Sequence, residues 1–214
     1  SFSGTDNTVV GWKENFNMSY LTETPGQQKA VRYVQETVPF YKNKLRFGGH
    51  SKGGNLAVYA AMCAKRSIQN RLIAVYNNDG PGFTRKMICE DGYQAVMNRI
   101  RTILPQSSVV GMLLEHEEDM EIIQSSNTGL MQHDAFSWEV KGSAFVHMDD
   151  LEEDSIFLDR TLKSWIGGLN DEQRRQFVEA LFGILENAQI TDLDQLGKIK
   201  FGQLLELWKA MEGL

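Results

Sequence analysis

The chain has 214 residues, a formal net charge of −6 and 23% charged side chains. That length allows one domain with an appendage and a substantial buried core. An acidic balance without a Lys/Arg block argues against nucleic acid or an anionic membrane surface as the main partner.

No apolar stretch is long enough to span a bilayer and no signal peptide is present, so no stable membrane insertion is expected. The two cysteines are a poor disulfide signal. Cys63 falls in a helical stretch and is expected to be packed, while Cys89 sits in a polar segment, so a reducing cytoplasm is the default location.

The chain opens abruptly with Ser1-Phe2-Ser3-Gly4-Thr5-Asp6 rather than Met, which suggests a cut chain lacking upstream strands. Residues 14–21 read as a short extended segment. Thr24 can cap a helix with Pro25 at its first position. That helix is expected to run to Lys42 with Ala30, Val31, Val34, Thr37 and Val38 on one side. A strand over 44–48 and a helix over 52–66 follow.

Arg71 to Asn77 is a short, mostly apolar run that predicts a strand buried on both faces. It stops at the turn signal Asn78-Asp79-Gly80-Pro81-Gly82. A helix over 92–99 leads into a strand over 100–104 ended by Pro105. Another strand is expected at 121–124, and 138–146 reads as extended. Strands alternating with helices predict an α/β fold: a mostly parallel sheet with helices on both faces, over residues 1–150. From Leu151 to Leu214 the texture becomes all-helical. Apolar stripes at Trp165, Ile166 and Leu169, then at Phe177, Leu181, Ile184 and Leu185, then at Phe201, Leu204, Leu205, Trp208 and Met211 suit a helical extension packed on the core.

One segment carries chemistry. Gly48-Gly49-His50-Ser51-Lys52-Gly53-Gly54 lies between the strand at 44–48 and the helix from 52, the context of a G-x-S-x-G nucleophile elbow. The glycines flank a strained turn where side chains would collide with the neighbouring elements. A phosphate-cradling loop would need a different order of Gly, Lys and Ser/Thr. Ser51 is therefore the candidate nucleophile.

A serine hydroxyl needs a base, usually a histidine oriented by a carboxylate. Of the four histidines, His50 adjoins the elbow and is expected to point away from its reacting face, and His116 and His147 lie in charged stretches and read as solvated. His133 falls in the loop after the strand at 121–124 and is the preferred base. The acid is divided between Asp79, at the end of the strand after the nucleophile helix, and Asp119 as the alternative. The run Glu115-His116-Glu117-Glu118-Asp119 reads as a solvated face. For the oxyanion, the elbow supplies the N–H of Lys52, and Thr5 can add its amide and hydroxyl.

Phe2-Ser3-Gly4-Thr5-Asp6, the elbow through Ala57, Asn77-Asn78-Asp79-Gly80-Pro81-Gly82-Phe83, Ser108-Val109-Val110-Gly111 and Gln132-His133-Asp134-Ala135-Phe136-Ser137-Trp138, in that order, resemble the bacterial Mbeg1-like (DUF2974) family over nearly the whole chain. The resemblance implies an α/β-hydrolase. More distantly, Phe-x-Gly-Thr followed by Gly-His-Ser-x-Gly-Gly is similar to class 3 lipases, which implies the oxyanion role for Thr5 and places Phe2 at the end of the third strand. Lys52 departs from the apolar residue usual in those lipases. Pro105 to Val110 lacks their Asp-x-Val-Pro acid motif, so the acid is not carried over.

The expected function is a serine hydrolase, esterase- or lipase-like, acting on a small-molecule or lipid ester or thioester with no cofactor and no metal. A binding or regulatory module on a hydrolase scaffold is the alternative. Acyl transfer by the same serine is another, since it passes through the same acyl-enzyme.

Overall fold

A computed structural model describes residues 1–4, 23–40, 42–108, 110–149 and 151, with Lys13 and a few helical positions between 172 and 183. The chain divides into two compact units, Ser1–Gly4 with Pro25–Lys163, and Thr5–Thr24 with Ser164–Leu214. The expected segment at 14–21 and the apolar stripes from Trp165 onward lie outside the described residues.

In chain order the first unit holds α1 (Pro25–Thr37), β1 (Leu45–His50), α2 (Lys52–Met62), α3 (Arg66–Gln69), β2 (Leu72–Asn78), α4 (Arg85–Ile88), α5 (Asp91–Gln94), β3 (Ile100–Pro105), β4 (Met120–Ile123), β5 (Val140–Lys141) and β6 (Ala144–Phe145). Strands β1 to β4 form a four-stranded sheet in sequential order, and every neighbouring pair is parallel. Helices flank it, giving the expected α/β architecture. Phe2 bridges Gly49 in parallel at the outer side of β1.

Side chains alternate across a strand, so register sorts them onto two faces. Phe47, Val75 and Ile100 lie side by side and join the main core with α1, α2 and Tyr93 of α5. Every residue from Gly53 to Met62 is buried. A helix apolar on all sides must be covered on all sides, and α2 packs on β1, β2, α1 and α5. Its small residues Ala57, Ala60 and Ala61 permit that close packing. On the other face Ile103 and Ile123 pack with Trp138 and Phe145, which come from the segment after β4.

Four expectations change in detail. The helix from Pro25 gives way to a 3-10 turn at Val38–Phe40 instead of reaching Lys42. The helix expected over 92–99 is split into α5 and a 3-10 turn at Met97–Arg99. Strand β2 is not buried on both faces: Ile73 is 41% and Tyr76 36% exposed, and a register shift between Leu45 and Arg46 interrupts its pairing with β1. Finally, α2 ends at Met62, so Cys63 becomes its C-terminal cap and is exposed rather than packed, as is Cys89.

Candidate active site

The C-terminal ends of adjacent parallel strands lie at one edge of a sheet, and ligands in such folds bind there. Ser51 follows β1 directly. Its backbone takes φ 58° and ψ −133°, a conformation costly for a residue with a Cβ and kept where surrounding structure enforces it. The enforcement is visible. Ser51 N–H donates to the Asn78 carbonyl at 2.8 Å, and the Ser51 carbonyl accepts from Gly54 N–H at 2.9 Å. A Cβ on Gly49 would lie 2.7 Å from the Phe2 carbonyl oxygen, and one on Gly53 would lie 2.4 Å from the same atom. The two glycines thus let a neighbouring backbone close on the turn from outside.

Asp79 follows β2. It also has positive φ, 50°, and its N–H donates to Ile103 O at 2.8 Å. The side chain is buried, and both oxygens are occupied. Oδ1 accepts from Gly111 N–H at 3.1 Å and from the Ser108 hydroxyl, and Oδ2 lies 2.7 Å from His133 Nδ1. Asn77 ties the turn beyond it through its amide, accepting from Gly80 N–H at 3.1 Å. Asn55 of α2, fully buried, donates to Pro81 O and Gly82 O, each at 3.0 Å. That contribution of Asn55 was missed in the sequence, although an amide in an otherwise apolar helix was a visible signal.

His133 ends a 3-10 turn at Gly129–His133. Its Nε2 is 2.8 Å from Ser51 Oγ. A carboxylate only accepts, so His133 donates from Nδ1 to Asp79, which leaves Nε2 as the acceptor for the serine proton. The Asp79 side chain is 1% exposed and that of His133 15%, so the acid is sealed while the imidazole keeps an edge open. The neighbouring loop is pinned by Gln132, whose carbonyl accepts from Trp138 Nε1 at 2.9 Å and whose Oε1 accepts from Ser107 N–H at 2.9 Å.

Of the two candidate acids, Asp79 meets His133. Asp119 is exposed immediately before β4. Lys52 opens α2, so its N–H sits at a helix start beside Ser51. Thr5 lies outside the described residues. Gly4 before it backs onto the turn, where a Cβ would come 2.6 Å from His50 O and 3.6 Å from Ser51 Cβ.

Two other histidines sit differently from expectation. His50 does not point clear of the site: its Nε2 is 2.6 Å from the His133 carbonyl oxygen and the two rings are 4.6 Å apart. Burial pushes the His50 pKa down, and the neighbouring His133 adds to this, against the opposing pull of the hydrogen bond to the His133 carbonyl and of Asp79.

His116 is not solvated either. Its side chain is 4% exposed, with Nδ1 2.9 Å from Glu118 Oε1 and Nε2 2.6 Å from the Gly111 carbonyl. Glu118 is buried and also accepts from the hydroxyls of Tyr93 and Thr102. The run 115–119 is therefore half inside. Burial alone would raise the Glu118 pKa, but hydrogen bonding and charge from His116, with the two hydroxyls, outweigh it and hold the carboxyl down at about 2. His147 is exposed, as its charged surroundings suggest.

Among the described residues, no group of three or more His, Cys, Asp or Glu side chains is arranged to hold a metal ion. Among them, too, no helix is long and apolar enough to cross a membrane.

Chemically, a hydroxyl, an imidazole and a buried carboxylate in one hydrogen-bonded line can move a proton off the hydroxyl while keeping the imidazolium next to a negative charge. No curated protein and no solved structure matches the chain. A family model described as Mbeg1-like matches residues 1–183, and the chain belongs to that family.

Proposed function

We propose that the protein is a serine hydrolase of the α/β-hydrolase type acting on a carboxylic ester or thioester. The observation that carries the proposal is the line Ser51 Oγ, His133 and Asp79, with separations of 2.8 and 2.7 Å and the carboxylate sealed from water. Ser51 Oγ attacks the substrate carbonyl as His133 Nε2 takes its proton. The Lys52 N–H, and in the sequence reading Thr5, receive the developing oxyanion. His133 returns the proton to the leaving alcohol or thiol, leaving an acyl-serine. Water then attacks with His133 as base, and the proton passes back to Ser51 as the carboxylic acid departs. Asp79 holds the imidazole in its Nδ1–H form and offsets the charge it acquires.

The test is covalent labelling of the full chain with a fluorophosphonate, together with turnover of a series of p-nitrophenyl esters. Ser51 is expected to be the modified residue, and Ser51→Ala to lose both labelling and turnover. An unlabelled protein beside a labelled control hydrolase would remove the proposal.

A further inference from the structure

His50 has no role in the reaction as written, yet it lies between its two moving parts. It is the last residue of β1 and the chain neighbour of Ser51, and its ring reaches the backbone of His133. We propose that His50 is a positioning residue for this centre: by donating Nε2–H to the His133 carbonyl, it fixes the base at its working distance from Ser51 Oγ. The inference rests on the hydrolase reading above.

The ring of His133 is only as well placed as the backbone at residue 133. It lies between β4 and β5, where no strand ladder supports it. Several ties of the loop act on neighbours: Trp138 and Ser107 bind Gln132, and Asn127 Nδ2 donates to Met131 O at 3.0 Å. The bond from His50 acts on the carbonyl of His133 itself, at 2.6 Å.

The donor end of that bond is fixed by the same structure that fixes the nucleophile. His50 pairs in register with Asn78, and the Asn78 carbonyl takes the Ser51 N–H. One peptide link and two hydrogen bonds therefore close a ring from Ser51 through His50 and His133 back to Ser51. Trp138 backs the His50 ring edge-on, with ring centroids 6.0 Å apart.

Chemistry also favours this arrangement. A carbonyl only accepts, so the bonded nitrogen of His50 carries the proton. Burial favours the form of His50 whose other nitrogen is bare, the neutral ring. This matters because His133 becomes positive during turnover, and a second charge 4.6 Å away would oppose it.

The experiment compares variants of the full chain by steady-state ester hydrolysis, by the rate of fluorophosphonate labelling at Ser51, and by thermal midpoint. His50→Phe keeps a ring but removes the donor. It is expected to lower kcat and the labelling rate roughly 10- to 100-fold, with KM and the midpoint nearly unchanged, as for small misplacements of a catalytic group. His50→Gln can still place an N–H near that carbonyl and is expected to recover most of the loss. Labelling of His50→Phe at the wild-type rate would overturn the proposal, as would a His50→Gln variant as slow as His50→Phe. If His50→Phe does not fold, ¹⁵N NMR of the wild-type histidines decides, because a His50 protonated at Nδ1 and bare at Nε2 overturns the assignment. A wild-type protein that is never labelled removes the hydrolase reading instead, and this inference with it.

Discussion

Asp79 accepts from three donors, Ser108, Gly111 and His133, and such saturation fixes a carboxylate more firmly than a single bond would. Asp79→Asn is accordingly expected to lower kcat by about 10³- to 10⁴-fold by presenting the wrong hydrogen-bond pattern to Nδ1. Asp119→Asn, at an exposed position, is expected to leave kcat within about twofold. Ester hydrolysis by the two purified variants checks both. The meeting of Ser51 and His133 was legible because an elbow has a local signature and the candidate base follows it in the chain. The choice between two aspartates was not. It depends on which strand end faces His133, and a loop separated from Asp79 by 29 residues or more supplies the Ser108 and Gly111 contacts. The expectation for His50 failed for a related reason, since its partner is 83 residues away.

Strands β1 to β4 match the sequence reading to within about two residues, because short apolar runs ended by Gly or Pro leave few alternatives. The helices match less well, since short ones stop where tertiary contacts stop them. The turn between β1 and α2 is where element and function meet, and two substitutions separate its roles. Gly53→Ala places a methyl against the Phe2 carbonyl, a backbone atom, and is expected to cost about 1–3 kcal/mol, read by urea denaturation. Ser51→Gly removes the Cβ from a residue at φ 58° and is expected to unfold at higher urea than Ser51→Ala, by about 1 kcal/mol, while neither is expected to turn over ester. Equal midpoints for the Ser51 pair would mean that the turn stores no strain.

At the scale of the whole molecule, the buried pair His116–Glu118 contributes to the response to acid. The Glu118 carboxyl is held near 2 against an ordinary 4.5. A depressed carboxylate contributes stability that is complete above its unfolded pKa and lost as pH falls through the folded one. The protein is therefore expected to lose thermal stability progressively from about pH 4.5 towards about pH 2, and Glu118→Gln to flatten that limb. At neutral pH the same variant removes the carboxylate that takes bonds from His116, Tyr93 and Thr102 and is expected to cost about 1–3 kcal/mol. Thermal unfolding across pH reads both effects. Nothing in the charged run 115–119 announced this pair, because Tyr93 and Thr102, which close over Glu118, are 25 and 16 positions away.

The crowding around the turn has a last consequence, for how such a site can diversify. Gly49, Gly53 and Gly111 each hold another residue's oxygen within 2.7 Å of where a first side-chain carbon would stand. A randomised library over these positions should return the parental glycines, whereas Met131 and Phe136, 59% and 99% exposed on either side of His133, should accept almost anything. Under the proposed function, new specificities would then arise on the loop that carries His133, around an unvarying turn.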